Sequence, residues 1–144
     1  MDEIFYIKIK EIVNTARNNA YRTINSIMIE AYYNVGKNIV EEEQKGEKRA
    51  KYGDELIKTL SLKLTKEFGK GFDERNLRNM RYFFIRFPNW NALRSELSWT
   101  HYRLLLKVKE ERARDYYLTE CVIQIGVQEN LIYKLILCFM KEVF

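Results

Sequence analysis

Apolar residues recur at helical spacing from near the start of the chain to residue 39. Ile9, Ile12, Val13, Ala16, Ala20, Ile24, Ile27, Met28, Ala31, Val35 and Ile39 follow one another at steps that keep one helix face apolar. The stripe predicts one long helix running to about Glu43, where Glu41, Glu42, Glu43 and Gly46 end the pattern. A helix of that length cannot bury its whole stripe against one short helix. It must pack on several later helices or on a second copy of itself. Three consecutive glutamates at its C-terminal end oppose the macrodipole, so a solvated, fraying end is expected there.

Residues 46–53 are polar and predict a connection. A second helix is predicted over Asp54–Phe68, with Leu56, Ile57, Leu60, Leu64 and Phe68 inward. The next stretch, Phe68-Gly-Lys-Gly-Phe-Asp-Glu-Arg-Asn-Leu-Arg-Asn-Met-Arg-Tyr82, is the most informative in the chain. Gly69 and Gly71 can take positive φ without a Cβ penalty. Asp73 can cap a third helix by accepting from first-turn N–H groups. Leu77, Met80 and Phe84 then face a core, while Arg75, Arg78, Asn79 and Tyr82 fall on another face. A tight turn followed by a helix with arginines along one side is how a helix-turn-helix presents its recognition helix. A surface helix with solvated arginines is the plainer reading of the same residues.

The third helix should stop before Pro88, because the residue preceding proline is pushed out of the α region. Pro88–Glu96 reads as a loop. Ser98 can cap a fourth helix through Val108, and Glu110 opens a fifth with Ala113, Tyr116, Tyr117 and Cys121 on one side. No stretch alternates as a strand would, and no internal repeat is present. The expected fold is therefore all-α: a long scaffold helix plus a helix-turn-helix-like bundle in one domain. A winged-helix relative would add a small wing, for which no segment gives support.

The totals adjust this picture modestly. The chain has 144 residues, only six glycines and one proline, which suits long uninterrupted helices. A formal net charge of +5 permits a polyanionic partner without requiring one. Aromatic residues are abundant at 14%; they can stack on bases, but core packing is their commoner use. Two cysteines, Cys121 and Cys138, are too few for a zinc site or a disulfide framework, and a reduced, intracellular chain is expected. The acidic start lacks a signal peptide's pattern. Leu131–Met140 is about half a membrane span and contains Lys134. These features place the protein in the cytoplasm, away from membranes.

Catalytic chemistry finds little footing. A metal-dependent nuclease needs clustered carboxylates and a nearby lysine. Pro88 is followed by Asn89, and Glu43-Gln44-Lys45 sits at a helix end without a partner acid on a strand. His101, the sole histidine, lies in Trp99-Thr-His-Tyr102 at a helix start, where a structural hydrogen bond is the simpler role. Trp99 reads as a core or interface anchor. No phosphate-cradling glycine motif is present. No cofactor is expected.

The basic residues are the better candidates. Lys66, Lys70, Arg75, Arg78 and Arg81 cluster around the turn and third helix, with Asn76, Asn79 and Tyr82 among them. Lys48, Arg49 and Lys51 precede the second helix, and His101 and Arg103 open the fourth; these are secondary candidates. Arg103, Lys107, Lys109, Arg112 and Arg114 form a second basic stretch, interleaved with Glu110, Glu111 and Asp115, that reads equally as a salt-bridged face. Backbone neutralisation by such groups gives salt-sensitive binding. Arg75, Arg78 and Asn79 carry the donors that base edges in a major groove require.

Several of these segments resemble one known family. Tyr52-Gly53, Leu60-Ser61, the run from Glu67 to Arg81, and Leu97-Ser-Trp-Thr-His-Tyr-Arg-Leu-Leu-Leu106 are similar to the N-terminal domain of the YhcG family, as are Ala16-Arg17, Gly36 and Glu42-Glu43. The resemblance spans about residues 11–123. It implies a helical DNA-binding domain of the kind that the family pairs with a C-terminal PD-(D/E)XK-type nuclease domain, and hence double-stranded DNA as the partner of the turn-helix unit. The nuclease domain is not expected in this chain, so the expectation is a binding module and not an enzyme. The alternative is a protein-interaction or dimerisation module, a homodimer through the long first helix. The resemblance fails at the end. The family continues with Trp-Ser-x-Arg-Glu-Leu, whereas residues 124–131 read Gln-Ile-Gly-Val-Gln-Glu-Asn-Leu. Back-translating Ile125–Leu131 as ATT-GGA-GTA-CAA-GAG-AAC-TT and shifting the frame gives TGG-AGT-ACA-AGA-GAA-CTT, which is Trp-Ser-Thr-Arg-Glu-Leu. Residues 1–123 are thus expected to form the domain, and 124–144 to be a divergent tail read out of frame.

Overall fold

The computed structural model describes residues 1–45, 50–89 and 97–123. Among them are five helices: α1 (Glu3–Lys45), α2 (Ala50–Phe68), α3 (Glu74–Arg86), α4 (Trp99–Leu105) and α5 (Glu111–Ile123). No strand occurs among the described residues, and the fold is all-α with a long N-terminal helix, as the spacing predicted. Residues 124–144, expected to be a divergent tail read out of frame, lie outside the described residues, as do 46–49 and 90–96 of the expected connections.

The core is built on the C-terminal half of α1 and on α3. Ile29 and Tyr33 join Phe83, Phe87, Leu97, Tyr102, Leu105, Val108, Tyr117 and Cys121 in one cluster. Ile39, Ile57, Leu77 and Met80 form a second. Trp99 packs against both and joins them. Its ring lies 4.9 Å from that of Tyr32 and 5.3 Å from that of Phe83. Gly36 sets how closely α1 and α3 approach: a Cβ there would sit 2.0 Å from the Met80 carbonyl oxygen. Two further ties fix this crossing. The Tyr33 hydroxyl donates to the Phe87 carbonyl at 2.9 Å, and Arg81 Nε donates to both carboxylate oxygens of Glu43 at 2.8 and 2.7 Å.

Several details differ from the sequence pattern. The long apolar stripe is not one packed face. Burial on α1 begins only at Ile29, and Ile9, Ile12, Val13, Ile24 and Ile27 are exposed. Helix α2 starts at Ala50, earlier than expected. It runs through Gly53, where the Glu43 side chain lies 3.3 Å from the position a Cβ would take. Phe68, expected inward, is exposed at the C-terminal end of α2, its ring 5.9 Å from that of Phe72 in the turn. On α3 the fully buried aromatic is Phe83, with Phe84 only partly covered. Helix α4 ends at Leu105, and a turn closed by Val108 N–H on the Leu105 carbonyl completes the segment expected to be helical through Val108. On α5, Tyr116 is exposed, and Leu118 and Arg114 take the inward positions beside Tyr117 and Cys121.

Candidate nucleic-acid interface

The α2–α3 turn has the predicted backbone. Gly69 and Gly71 take φ of 83° and 104°. Asp73 caps α3, its carboxylate accepting from the Asn76 N–H at 2.8 Å. The Ser61 hydroxyl on α2 donates to the Phe72 carbonyl at 2.7 Å and so anchors the turn to the helix before it. The Asn76 side chain donates to the Gly71 carbonyl at 2.5 Å and accepts from Trp99 Nε1 at 3.0 Å. That residue therefore couples the turn, α3 and α4, and its amide is occupied by structure.

An open groove of about 640 Å³ runs between the outer face of α3 and α4. From α3 it is lined by Arg75, Asn79, Tyr82 and Arg86, at i, i+4, i+7 and i+11 on one face. From α4 and the turn after it come Thr100, Arg103 and Lys107, one face again at i, i+3 and i+7. Asp73 is the acid at its rim, already engaged as the cap. Among the described residues no carboxylate pairs with Arg75, Arg103 or Lys107. Arg86 also lines the groove, but its guanidinium is spoken for: it donates to the Leu106 carbonyl and lies 4.8 Å over the Tyr82 ring.

The arginines expected along one side of α3 thus separate. Arg75 faces the groove. Arg78 pairs with Glu74 one turn back at 3.5 Å. Arg81 turns inward to Glu43. Lys66 and Lys70 are exposed near the turn but do not line the groove. Lys48 and Arg49 lie outside the described residues, as does the side chain of Lys51. His101 is buried; its Nδ1 accepts from the Ser98 N–H at 3.0 Å, which leaves the ring proton on Nε2 and closes the start of α4. Of the second basic stretch, Arg103 and Lys107 reach the groove while Lys109 and Arg112 are exposed elsewhere. Arg114 is buried. Its Nη1 donates to the Val108 carbonyl at 3.0 Å and its guanidinium stands 5.6 Å over the Phe87 ring. Burial first, and then the Arg86 charge, lowers its pKa.

Thr100, Arg86 and Lys107 were not singled out for this site by sequence. The signal was present in the polar positions 100, 103 and 107, which share a helical face opposite buried Tyr102 and Leu105. What could not be read was that this face meets α3. Among the described residues, no group of three or more His, Cys, Asp or Glu side chains converges as a metal site would require. No helix of the described residues is long and apolar enough to cross a membrane.

Comparison with known proteins gives two matches. The profile described as the DUF1016 N-terminal domain matches residues 8–135. The Escherichia coli (strain K12) protein described as "Putative nuclease YhcG" is 44% identical over 78 residues, which cover 54% of this chain and 21% of that protein. The chain therefore matches about a fifth of the length of that relative. No solved structure matches the chain.

Proposed function

The chain belongs to the DUF1016 N-terminal domain family, and on that footing we propose that it is a non-catalytic DNA-contacting module of a YhcG-like nuclease. The α3–α4 groove is its contact surface. The observation that carries this reading is the convergence of Arg75, Arg103 and Lys107 on one groove without a paired carboxylate among the described residues. Cations left unpaired on a concave surface raise the local concentration of an anionic partner. Duplex DNA presents a negative charge every few ångströms along its axis, so each such cation can displace a counterion there. Asn79 and Thr100 add neutral donors between the charges, suited to phosphate or base-edge contact. The turn-helix geometry supports the same reading: the Gly69–Gly71 turn and the Asp73 cap fix α3 with one face on the core and Arg75 and Asn79 outward.

Fluorescence anisotropy of labelled duplex DNA, titrated with the full chain at low and physiological salt, tests the proposal. Wild type should bind with affinity that falls steeply with salt. The Arg75→Ala/Arg103→Ala/Lys107→Ala variant should lose roughly 0.9 in the slope of log K against log salt for each phosphate contact removed. Lys109→Ala/Arg112→Ala, outside the groove, should change little. Absence of binding at low salt, or a slope unmoved by the triple change, would overturn it.

A further inference from the structure

The groove between α3 and α4 is concave, and that limits which part of a DNA can enter it. A major groove is about 12 Å wide and admits one helix. Two helices side by side, each about 10 Å across, do not fit. Here the outer face of α3 is one wall of a cleft of about 640 Å³, and Thr100, Arg103 and Lys107 stand on the other wall. Asn79 and Tyr82 therefore face a second element across the cleft. Tyr82 is the second observation. Its ring lines the same cleft and is 39% exposed. The Arg86 and Arg81 guanidiniums stand 4.8 and 5.6 Å from its centre. Both are fixed by other bonds, Arg86 to the Leu106 carbonyl and Arg81 to Glu43. The ring is thus braced before any ligand arrives, while much of its surface stays open.

We infer that the groove takes unpaired nucleotides of a DNA strand, with a base stacked on Tyr82 and the flanking phosphates on Arg75, Arg103 and Lys107. This rests on the DNA-contacting reading of the groove and adds which form of DNA the groove prefers. An open aromatic ring among cations is a platform for an unpaired base. A base inside a duplex has both faces covered by its neighbours in the stack and cannot use the platform. Asn79 lies one turn from Tyr82 on the same face of α3 and offers its amide to a base edge freed from pairing. The cations alone would favour the duplex. Each phosphate neutralised on B-DNA contributes about 0.9 to the salt slope, against about 0.7 on a single strand, because the duplex carries the denser charge. A preference for unpaired DNA therefore has to come from stacking, and stacking has one address in this groove, Tyr82.

Fluorescence anisotropy of the full chain at one low salt concentration tests it with three labelled probes: an intact duplex, the same duplex with a short single-stranded gap, and its single strand. The gapped and single-stranded probes should bind about tenfold more tightly than the intact duplex, the worth of one stacked base. Tyr82→Ala should remove that margin and leave intact-duplex affinity nearly unchanged. Tyr82→Phe, which keeps the ring, should retain the margin. Circular dichroism checks that both variants keep their helix content. An intact duplex bound as tightly as the gapped one, or a margin unmoved by Tyr82→Ala, would overturn the inference and leave the DNA reading standing. No binding to any of the three probes would overturn both.

Discussion

Replacing Gly36 by alanine should destabilise this domain, although alanine is the better helix former by about 1 kcal/mol. The reason is the α1–α3 crossing. The added methyl would stand 2.0 Å from the Met80 carbonyl oxygen, 2.7 Å from its carbon and 3.3 Å from the Arg81 nitrogen. All three are backbone atoms and no rotamer can move them. An ordinary carbon–oxygen approach is about 3.3 Å, so the helices must part by more than about 1 Å. A gap of that size forfeits a quarter to a half of the dispersion between facing side chains, here Ile39, Leu77, Met80 and Phe83. A clash this close with backbone atoms stands at the upper end of overpacking costs, about 3 kcal/mol. With the propensity gain set against it, the net loss should be about 2 kcal/mol. That corresponds to a fall in Tm of roughly 5–15 °C for a domain of this size. Thermal melts followed by far-UV circular dichroism would measure it. Trimming Met80 to alanine should give no rescue, since the clash is with its main chain. Gly53→Ala is the contrast: its methyl meets the end of the Glu43 side chain at 3.3 Å, which can yield, and stability should change by less than about 1 kcal/mol. A Gly36→Ala Tm at or above wild type would refute the close-crossing argument.

Other outcomes follow from the same joints. Arg81→Ala should cost about 1–3 kcal/mol in urea unfolding, because it leaves the half-buried Glu43 carboxylate without its doubly bonded partner, whereas exposed Arg78→Ala should cost less than about 0.5 kcal/mol. Tyr33→Phe should cost about 1 kcal/mol by the same measurement, through the lost bond to the Phe87 carbonyl. Burial, and then the Glu120 charge, push the Cys121 thiol up to about 11. In a Cys138→Ser background it should therefore resist iodoacetamide near pH 8 until denaturant is added; rapid labelling of the native protein would contradict its burial.

How much of this was legible from the residues depended on whether the determining contact was local. The Gly69–Gly71 turn and the Asp73 cap are set within a few residues, and both were readable. Helix existence was also clear, since period and the scarcity of glycine and proline act over short windows. The face of α1 was not. Periodicity marks apolar positions but does not say which partner covers them, and two opposite stripes merge into one when Ile27, Met28 and Ala31 are read together. The same limit split the arginines of α3. Arg78 and Arg81 share a side of the helix with Arg75 only loosely: Arg78 pairs with Glu74 one turn back, and Arg81 is drawn inward by Glu43, 38 residues earlier. Arg103 and Lys107 could not be placed beside Arg75 without the α3–α4 packing.

The residues that carry the family resemblance are mostly the joints of the scaffold. Gly36 sets the α1–α3 crossing, and Glu43 holds Arg81. Ser61 fixes the turn, Asn76 bonds Trp99, and Ser98 and His101 close the start of α4. A chain that keeps these joints keeps the fold whatever it binds, so membership by itself argues for architecture more than for ligand. Function has to be sought among side chains that the scaffold leaves without structural work. Two groups meet that description among the described residues. One is the set of groove cations Arg75, Arg103 and Lys107. The other is the outward stripe of α1, where Ile9, Val13, Ile24 and Ile27 are exposed. Their exposure is what marks them as surfaces to test, the groove cations first against an anionic polymer.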